Sequence, residues 1–205
     1  METKKILIGG EWRKAQESFT VKSPYLREAL AEVSSASAKE AEEAVSIAVE
    51  AAKKMRQLAR FEISRALAKI AAGIEARKTE FAEMIAGESA KPIVYARGEV
   101  ERAIATFHHA AGETERFAGE IIPVDAQSAG KNKTAWTLRI PKGVIYGITP
   151  FNFPLNLVAH KVAPALAAKN TIIIKPSEKT PLTALLLGEV FLESGLPKPA
   201  LQIVP

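Results

Sequence analysis

The strongest constraint on the fold is the alternation of apolar strands and helices between residues 143 and 204. Strands are predicted over 143–148, 171–175 and 201–204, with helices over 154–168 and 181–194 between them. Strands that are apolar on both faces and joined by helices form parallel sheets with right-handed crossovers. The chain is therefore predicted to be α/β. It should contain an incomplete doubly wound parallel sheet (βαβαβ), the first half of a nucleotide-binding unit, which stops at its third strand.

The residues before this unit are predicted to form short strands followed by helices. Glycine and proline pairs at Gly9-Gly10 and Ser23-Pro24 mark turns. Ser37 and Glu40 have the spacing of a capping box, which predicts the start of a helix. The predicted strands are 6–12, 18–21 and 29–33, and the predicted helices are 37–58, 61–77, 79–89 and a long one with Pro92 in its first turn and Phe117 near its end.

The periodicity changes again after Gly119, where two strands are predicted around a polar loop over 127–133. The strands cover 121–124 and 134–140 and indicate an arm or hairpin. We therefore predict three parts: residues 1–118, an oligomerisation arm over 119–141, and the first half of the Rossmann-like unit over 142–205.

Composition excludes several classes of function. The formal charge of +5 is spread along helices among glutamates, so no nucleic-acid partner is expected. The absence of cysteine excludes disulfides and thiolate metal sites and fits a cytoplasmic protein. No apolar leader segment and no run long enough for a membrane span is present, so no membrane association is expected. His108 and His109 point about 100° apart on a helix, and no metal site is predicted.

Two polar motifs follow the first two predicted strands of the parallel sheet. The first, Ile148-Thr149-Pro150-Phe151-Asn152-Phe153-Pro154, offers a buried-looking amide to a developing oxyanion. The second, Lys175-Pro176-Ser177-Glu178, lies at the strand edge where open α/β sheets bind ligands. From the residues alone, Asn152 could equally close a turn, and Lys175 and Glu178 could form a surface ion pair.

Together these motifs, at this separation inside a βαβ unit, resemble the aldehyde dehydrogenase superfamily. The resemblance extends through Ala163-Pro164-Ala165-Leu166-Ala167 and, more weakly, Glu88-Ser-Ala-Lys91-Pro92. Phe151 stands where the family usually has Trp. Family chains are more than twice as long, so the resemblance implies an amino-terminal half. It also implies that the nucleophilic Cys, the general-base Glu and a second glycine-containing cofactor segment lie beyond residue 205.

The resemblance assigns roles to individual residues. Asn152 would donate its amide to the oxyanion, and Lys175 and Glu178, with Ser177 in the same motif, would bind the adenosine ribose of NAD. A carboxylate at Glu178 favours NAD over NADP, although NADP remains possible. The residues that would line the cofactor surface are Ile148, Thr149, Pro150 and Phe151. Those that would line the aldehyde tunnel are Phe153, His160 and Arg102. Arg102, together with His109, could attract an anionic aldehyde or could simply face solvent.

The predicted function is therefore the amino-terminal, cofactor-binding portion of an NAD(P)-dependent aldehyde dehydrogenase, inactive by itself. Two alternatives stay open: a non-catalytic binding module from a truncated gene, and one half of a split enzyme completed by a second chain. The aldehyde would be the substrate of the intact enzyme. We expect a homo-oligomer or a complementing carboxyl-terminal half, because three features look uncovered: the arm, the edge of the strand at 201–204, and the apolar side chains Leu185, Leu186, Val190 and Phe191.

Overall fold

The computed structural model describes residues 3–205, which form an α/β fold. The strands are β1 (Thr3–Lys4), β2 (Ile6–Ile8), β3 (Glu11–Arg13), β4 (Glu17–Lys22), β5 (Ala29–Ser35), β6 (Ile121–Ile122), β7 (Ala135–Trp136), β8 (Val144–Ile148), β9 (Thr171–Lys175) and β10 (Leu201–Ile203). The helices are α1 (Ala38–Gln57), α2 (Arg60–Ala76), α3 (Lys78–Ser89), α4 (Ile93–Arg116), α5 (Asn156–Ala167) and α6 (Leu182–Leu192).

The main sheet has five strands in the order β3-β2-β10-β9-β8. Strands β8, β9 and β10 are parallel, as predicted, but β2 pairs antiparallel with β10, and β3 pairs with β2. The predicted open edge at residues 201–204 was therefore wrong, because the amino-terminal hairpin occupies it. The buried Gln202 reinforces this junction: its Nε2 donates to the Ala44 carbonyl, and its Oε1 accepts from the Gly9 N–H.

Helices cover both faces of the sheet. On one face, α5 and α6 pack against the strands, with α2, α3 and α4 in a layer behind them, and α1 covers the other face. Residues Leu185, Leu186, Val190 and Phe191 of α6 are all buried. The prediction that this helix leaves apolar surface uncovered was wrong, because α2 and α3 cover it.

The capping signals were only partly predictive. Ser37 and Glu40 form the predicted capping box at the start of α1. Pro92 precedes the first residue of α4 rather than lying within its first turn. Thr180 does not cap α6, and within residues 3–205 its buried hydroxyl has no hydrogen-bond partner. Gly195, three residues after the end of α6, has a φ of 94°, which favours glycine.

The segment after α4 forms a short hairpin. Ile121 pairs with Trp136 and Ile122 with Ala135, and two 3-10 turns connect the strands. Ile121, Trp136, Leu138 and Ile140 are each at least 65% exposed. The hairpin exists as predicted, with shorter strands than its sequence suggested.

A smaller sheet in the order β1-β5-β4 completes the fold. None of the helices found in residues 3–205 has the length and apolar character that crossing a membrane requires. That part of the chain also contains no cluster of three His, Asp or Glu side chains suited to holding a metal ion.

Candidate functional site

The two sequence motifs lie side by side at one edge of the main sheet. Strands β8 and β9 are parallel and in register, with Ile148 opposite Lys175. The pairing continues beyond β8, because the Thr149 N–H donates to the Lys175 carbonyl at 3.1 Å. Both motifs therefore leave the sheet at its carboxyl edge, where ligands of open α/β sheets bind.

Asn152 lies in the turn between β8 and α5. Its side chain is exposed, which corrects the prediction of a buried amide, and it makes no hydrogen bond within residues 3–205. No contact therefore supports the alternative that this side chain closes a turn. The backbone carbonyl of Asn152 accepts from the Lys91 ammonium at 2.9 Å. The turn is thus held through its backbone, while the amide side chain stays free.

A buried ion pair between Lys91 and Glu99 holds this turn in place. Glu99 on α4 is fully buried, and its Oε1 accepts from the N–H groups of Leu155 at 2.9 Å and Asn156 at 3.1 Å. Its other oxygen, Oε2, pairs with Lys91, whose side chain is only 16% exposed. A carboxylate at the start of α5 is also favoured by the helix dipole.

Glu88 likewise accepts hydrogen bonds from the backbone N–H groups at the start of α6. It is fully buried on α3, and its carboxylate accepts from the N–H groups of Leu182 at 2.8 Å and Thr183 at 3.0 Å and from the Thr183 hydroxyl. Burial raises the pKa of Glu88 to about 7, although these three hydrogen bonds act in the opposite direction.

Sequence reasoning missed both roles. For Glu99, the available signal was a carboxylate within an apolar helical stripe, between Ala96 and Ala103, three residues before it and four after it. The segment containing Glu88 and Lys91 contributes only weakly to the family resemblance and by itself indicates no capping role. Buried charged side chains need partners, so such a glutamate is a candidate for capping another element.

A groove of about 450 Å³ opens beside the turn of Asn152. Phe153 lies in its wall, with the Lys91 ammonium 4.1 Å and the Arg102 guanidinium 5.0 Å from its ring centre. Two of the predicted tunnel residues, Phe153 and Arg102, are therefore together. His160 is exposed on α5 and is not among the residues that line this groove.

The predicted cofactor residues surround the end of β9. Lys175 is half-buried, Glu178 is exposed, and Ser177 is buried with its Oγ accepting from the Lys179 N–H. Lys175 and Glu178 form no ion pair in the described part of the chain, so the alternative of a surface pair is not supported. Glu178 instead lines a groove of about 600 Å³ together with Arg27 and residues 19–24.

The other residues that were predicted to contact the cofactor also lie at this edge. Ile148 and Phe151 are 63% and 50% exposed, and the Lys179 ammonium lies 4.7 Å from the ring centre of Phe151. Pro150 is exposed and Thr149 is buried. The strand end thus presents an open apolar surface flanked by polar groups.

Comparisons with known proteins identify the same family along nearly the whole chain. The aldehyde dehydrogenase family matches residues 12–205. A 3-sulfolactaldehyde dehydrogenase from Priestia aryabhattai is 41% identical over 199 residues, which are 97% of this chain and 41% of that protein.

Solved structures give the same result. Aldehyde dehydrogenase 21 from Physcomitrella patens, in complex with the reaction product succinate, superposes with a TM-score of 0.95 at 37% identity, covering 100% of this chain and 43% of that one. An NADP-dependent glyceraldehyde-3-phosphate dehydrogenase from Bacillus halodurans C-125, complexed with NADP, also gives 0.95, at 33% identity, covering 100% and 44%. The chain thus spans about two fifths of the length of these relatives.

Proposed function

The chain belongs to the aldehyde dehydrogenase family, and we propose that it supplies the amino-terminal part of the site where an aldehyde is oxidised to a carboxylic acid. One observation carries the proposal above all. The pairing of Ile148 with Lys175 brings the two family motifs to the same edge of the sheet, where a dinucleotide and a substrate can meet.

Asn152 is the proposed oxyanion donor. Its amide is exposed and free of internal hydrogen bonds among the described residues, so it can donate to an oxygen that gains charge during the reaction. Loss of one such donor typically lowers the rate about 10²- to 10³-fold. The buried capping of α5 by Glu99 keeps the adjacent backbone fixed.

Lys175 and Glu178 are the proposed contacts to the adenosine ribose of a nicotinamide dinucleotide, which accepts the hydride when bound. The fit rests on two observations: Glu178 lines an open groove, and neither side chain is paired with the other. A carboxylate accepts from ribose hydroxyls but repels a 2′-phosphate, so NAD is favoured over NADP.

Arg102 suggests the class of substrate. Its guanidinium lies over Phe153 at the groove beside Asn152, where it can attract an aldehyde carrying an anionic group. The relatives named above fit this proposal, because sulfolactaldehyde, succinate and glyceraldehyde-3-phosphate are anionic, whereas other similar enzymes are named for uncharged aldehydes such as lactaldehyde.

We further propose that the thiol nucleophile and the carboxylate base come from outside these residues, either from a longer protein or from a second chain. The sequence contains no cysteine, so its own side chains cannot form a thiohemiacetal. A cytoplasmic location is part of the same proposal. A non-catalytic binding module is the second candidate, and the exposed Asn152 amide, on a turn held by Lys91 and Glu99, favours the catalytic one.

Calorimetric titration with NAD, together with an assay for NADH, tests the proposal. The 205-residue chain should form no NADH from any aldehyde and should bind NAD weakly, because the residues proposed here contact only part of the dinucleotide. Glu178→Ala should weaken NAD binding about tenfold, whereas Glu42→Ala, an exposed glutamate on α1, should have no effect. Glu178→Gln should improve NADP binding relative to NAD.

Two results would contradict the proposal. Micromolar or tighter NAD binding that is unchanged in Glu178→Ala would place the cofactor elsewhere. Steady NADH formation in proportion to a homogeneous preparation of the chain would show that the catalytic groups are already present.

A further inference from the structure

Lys91 contacts three groups in or beside the turn that carries Asn152. Its ammonium donates to the Asn152 carbonyl at 2.9 Å, lies 4.1 Å from the Phe153 ring centre, and pairs with the carboxylate of Glu99. Three different groups thus converge on one largely buried cation. Such a cation fixes the turn more tightly than a single hydrogen bond would, because its partners hold each other in place.

Glu99 completes the clamp at the far end of the same turn. Its second oxygen binds the N–H groups of Leu155 and Asn156, so the ion pair holds the peptide at residue 152 and again at residues 155 and 156. Only Phe153 and Pro154 lie between the two anchors. Lys91 therefore restrains the Asn152 carbonyl, which is bonded directly to the Cα that carries the Asn152 side chain.

We propose that Lys91 and Glu99 are positioning residues, which act through the backbone of residues 152–156 to aim the Asn152 amide at the oxyanion. The proposal rests on the function proposed above for Asn152. Oxyanion donors act only over a narrow range of position, and a displacement of about 1 Å in a reacting group can cost about 10²-fold in rate. An ion pair buried beside the turn keeps the amide within that range.

Kinetics of the active form, in which this chain is joined to or mixed with the segment that carries the nucleophile, provide the first test. Lys91→Met should lower kcat about 10- to 100-fold with little change in KM for NAD, and Lys91→Arg should restore most of it. In an Asn152→Ala background, Lys91→Met should cause almost no further loss, since it acts through the missing amide. An equal loss in both backgrounds would overturn the proposal.

Two further variants separate positioning from folding. Lys91→Met leaves the Glu99 carboxylate buried without its partner, so the double variant Lys91→Met with Glu99→Gln removes the charge and keeps an acceptor for Leu155 and Asn156. It should show the same loss in kcat as Lys91→Met. Arg77→Met, which breaks ion pairs to Glu80 and Glu189 away from this turn, should lower the melting temperature and leave kcat unchanged.

Amide exchange measured by NMR on the chain alone tests the clamp without any activity. The N–H groups of Leu155 and Asn156 should exchange at least tenfold faster in Glu99→Ala, which removes their acceptor, while those of Leu182 and Thr183, which Glu88 holds, should not change. Unchanged exchange at Leu155 and Asn156 would overturn the inference. If the assembled wild-type protein has no activity, the proposed function fails, and the exchange rates still decide whether the clamp exists.

Discussion

Two buried glutamates, Glu88 and Glu99, stabilise the starts of the two helices that follow β9 and β8. Each accepts hydrogen bonds from two backbone N–H groups, so neither helix start is available to an outside anion. Glu99 also has a cationic partner, whereas Glu88 has hydrogen bonds but no ion pair among the described residues. The two carboxylates therefore differ in the cost of keeping a charge buried.

We expect Glu88 to make stability depend on pH. Its pKa is raised by burial from an ordinary value near 4.5 to about 7, and the Glu99 carboxylate contributes in the same direction. Between these values the folded state keeps a proton that the unfolded state has lost. The stabilisation is therefore present below pH 4.5 and is lost as the pH rises through 7.

Urea unfolding at pH 5 and pH 8 measures this effect. The free energy of unfolding should be lower at pH 8 by about 2 to 3 kcal/mol from this group alone. Glu88→Gln does not titrate, so its pH dependence should be smaller than that of the wild type by the same amount. Identical profiles for the two proteins would show that Glu88 ionises normally.

At the residue scale, the sequence pointed to candidate site residues and not to the buried residues that support them. Asn152, Phe153, Lys175 and Glu178 were recognisable because their order and spacing form motifs. Glu99 and Lys91 were not, because their partners lie 56 and 61 residues away in the chain. No local pattern encodes such a contact, and only the packing of α4 against α5 creates it.

At the scale of elements, the local signals predicted most helices and strands correctly. Hydrophobic periodicity and capping residues predicted α1, and the alternation of strands and helices from β8 to β10, to within a few residues. The pairing of β2 with β10 was missed because strand partners distant in sequence leave no periodic trace. That pairing also requires a tight turn at Gly9 and Gly10, between β2 and β3.

Gly10 should tolerate no side chain. Its φ is 86°, and a Cβ there would lie 2.3 Å from the Cβ of Lys198. Gly10→Ala should therefore lower the free energy of unfolding by about 2 kcal/mol or more, through backbone strain and the clash.

Gly112 on α4 is the matched control, because a Cβ there meets nothing within 4 Å. Gly112→Ala should raise the free energy of unfolding by up to about 1 kcal/mol, since alanine favours helix. Thermal or urea unfolding of both variants measures these two changes in stability. Equal effects would mean that the hairpin does not rest against residue 198 as described.

At the scale of the whole molecule, two of the exposed apolar surfaces in the part of the chain that the structure describes lie on or beside strands. One is the arm with Ile121, Trp136, Leu138 and Ile140, and the other is the edge strand β8, where Tyr146 and Ile148 are 56% and 63% exposed. Among the strands within residues 3–205, β8 pairs only with β9. An unpaired strand with exposed apolar side chains is a template for another chain.

We therefore predict that the chain alone self-associates or aggregates. Light scattering should give a mass above 22.1 kDa at high concentration. Ile148→Lys and Trp136→Glu should each reduce association, whereas Val45→Lys, an exposed position on α1, should not. A monomer that unfolds cooperatively at high concentration would contradict this prediction.

The pairing of Leu7 with Ile203 also bears on the order in which the protein folds. These strands are roughly 200 residues apart, so their contact raises the contact order of the domain, and high contact order slows folding. On a ribosome that adds about 5 to 20 residues per second, strand β2 would wait roughly 10 to 40 s for its partner. During that time its three buried apolar residues, Ile6, Leu7 and Ile8, are exposed on the nascent chain. Strand β10, which is synthesised long after this hairpin, thus joins it to the sheet, and the hairpin made first is among the last of the described elements to find its place.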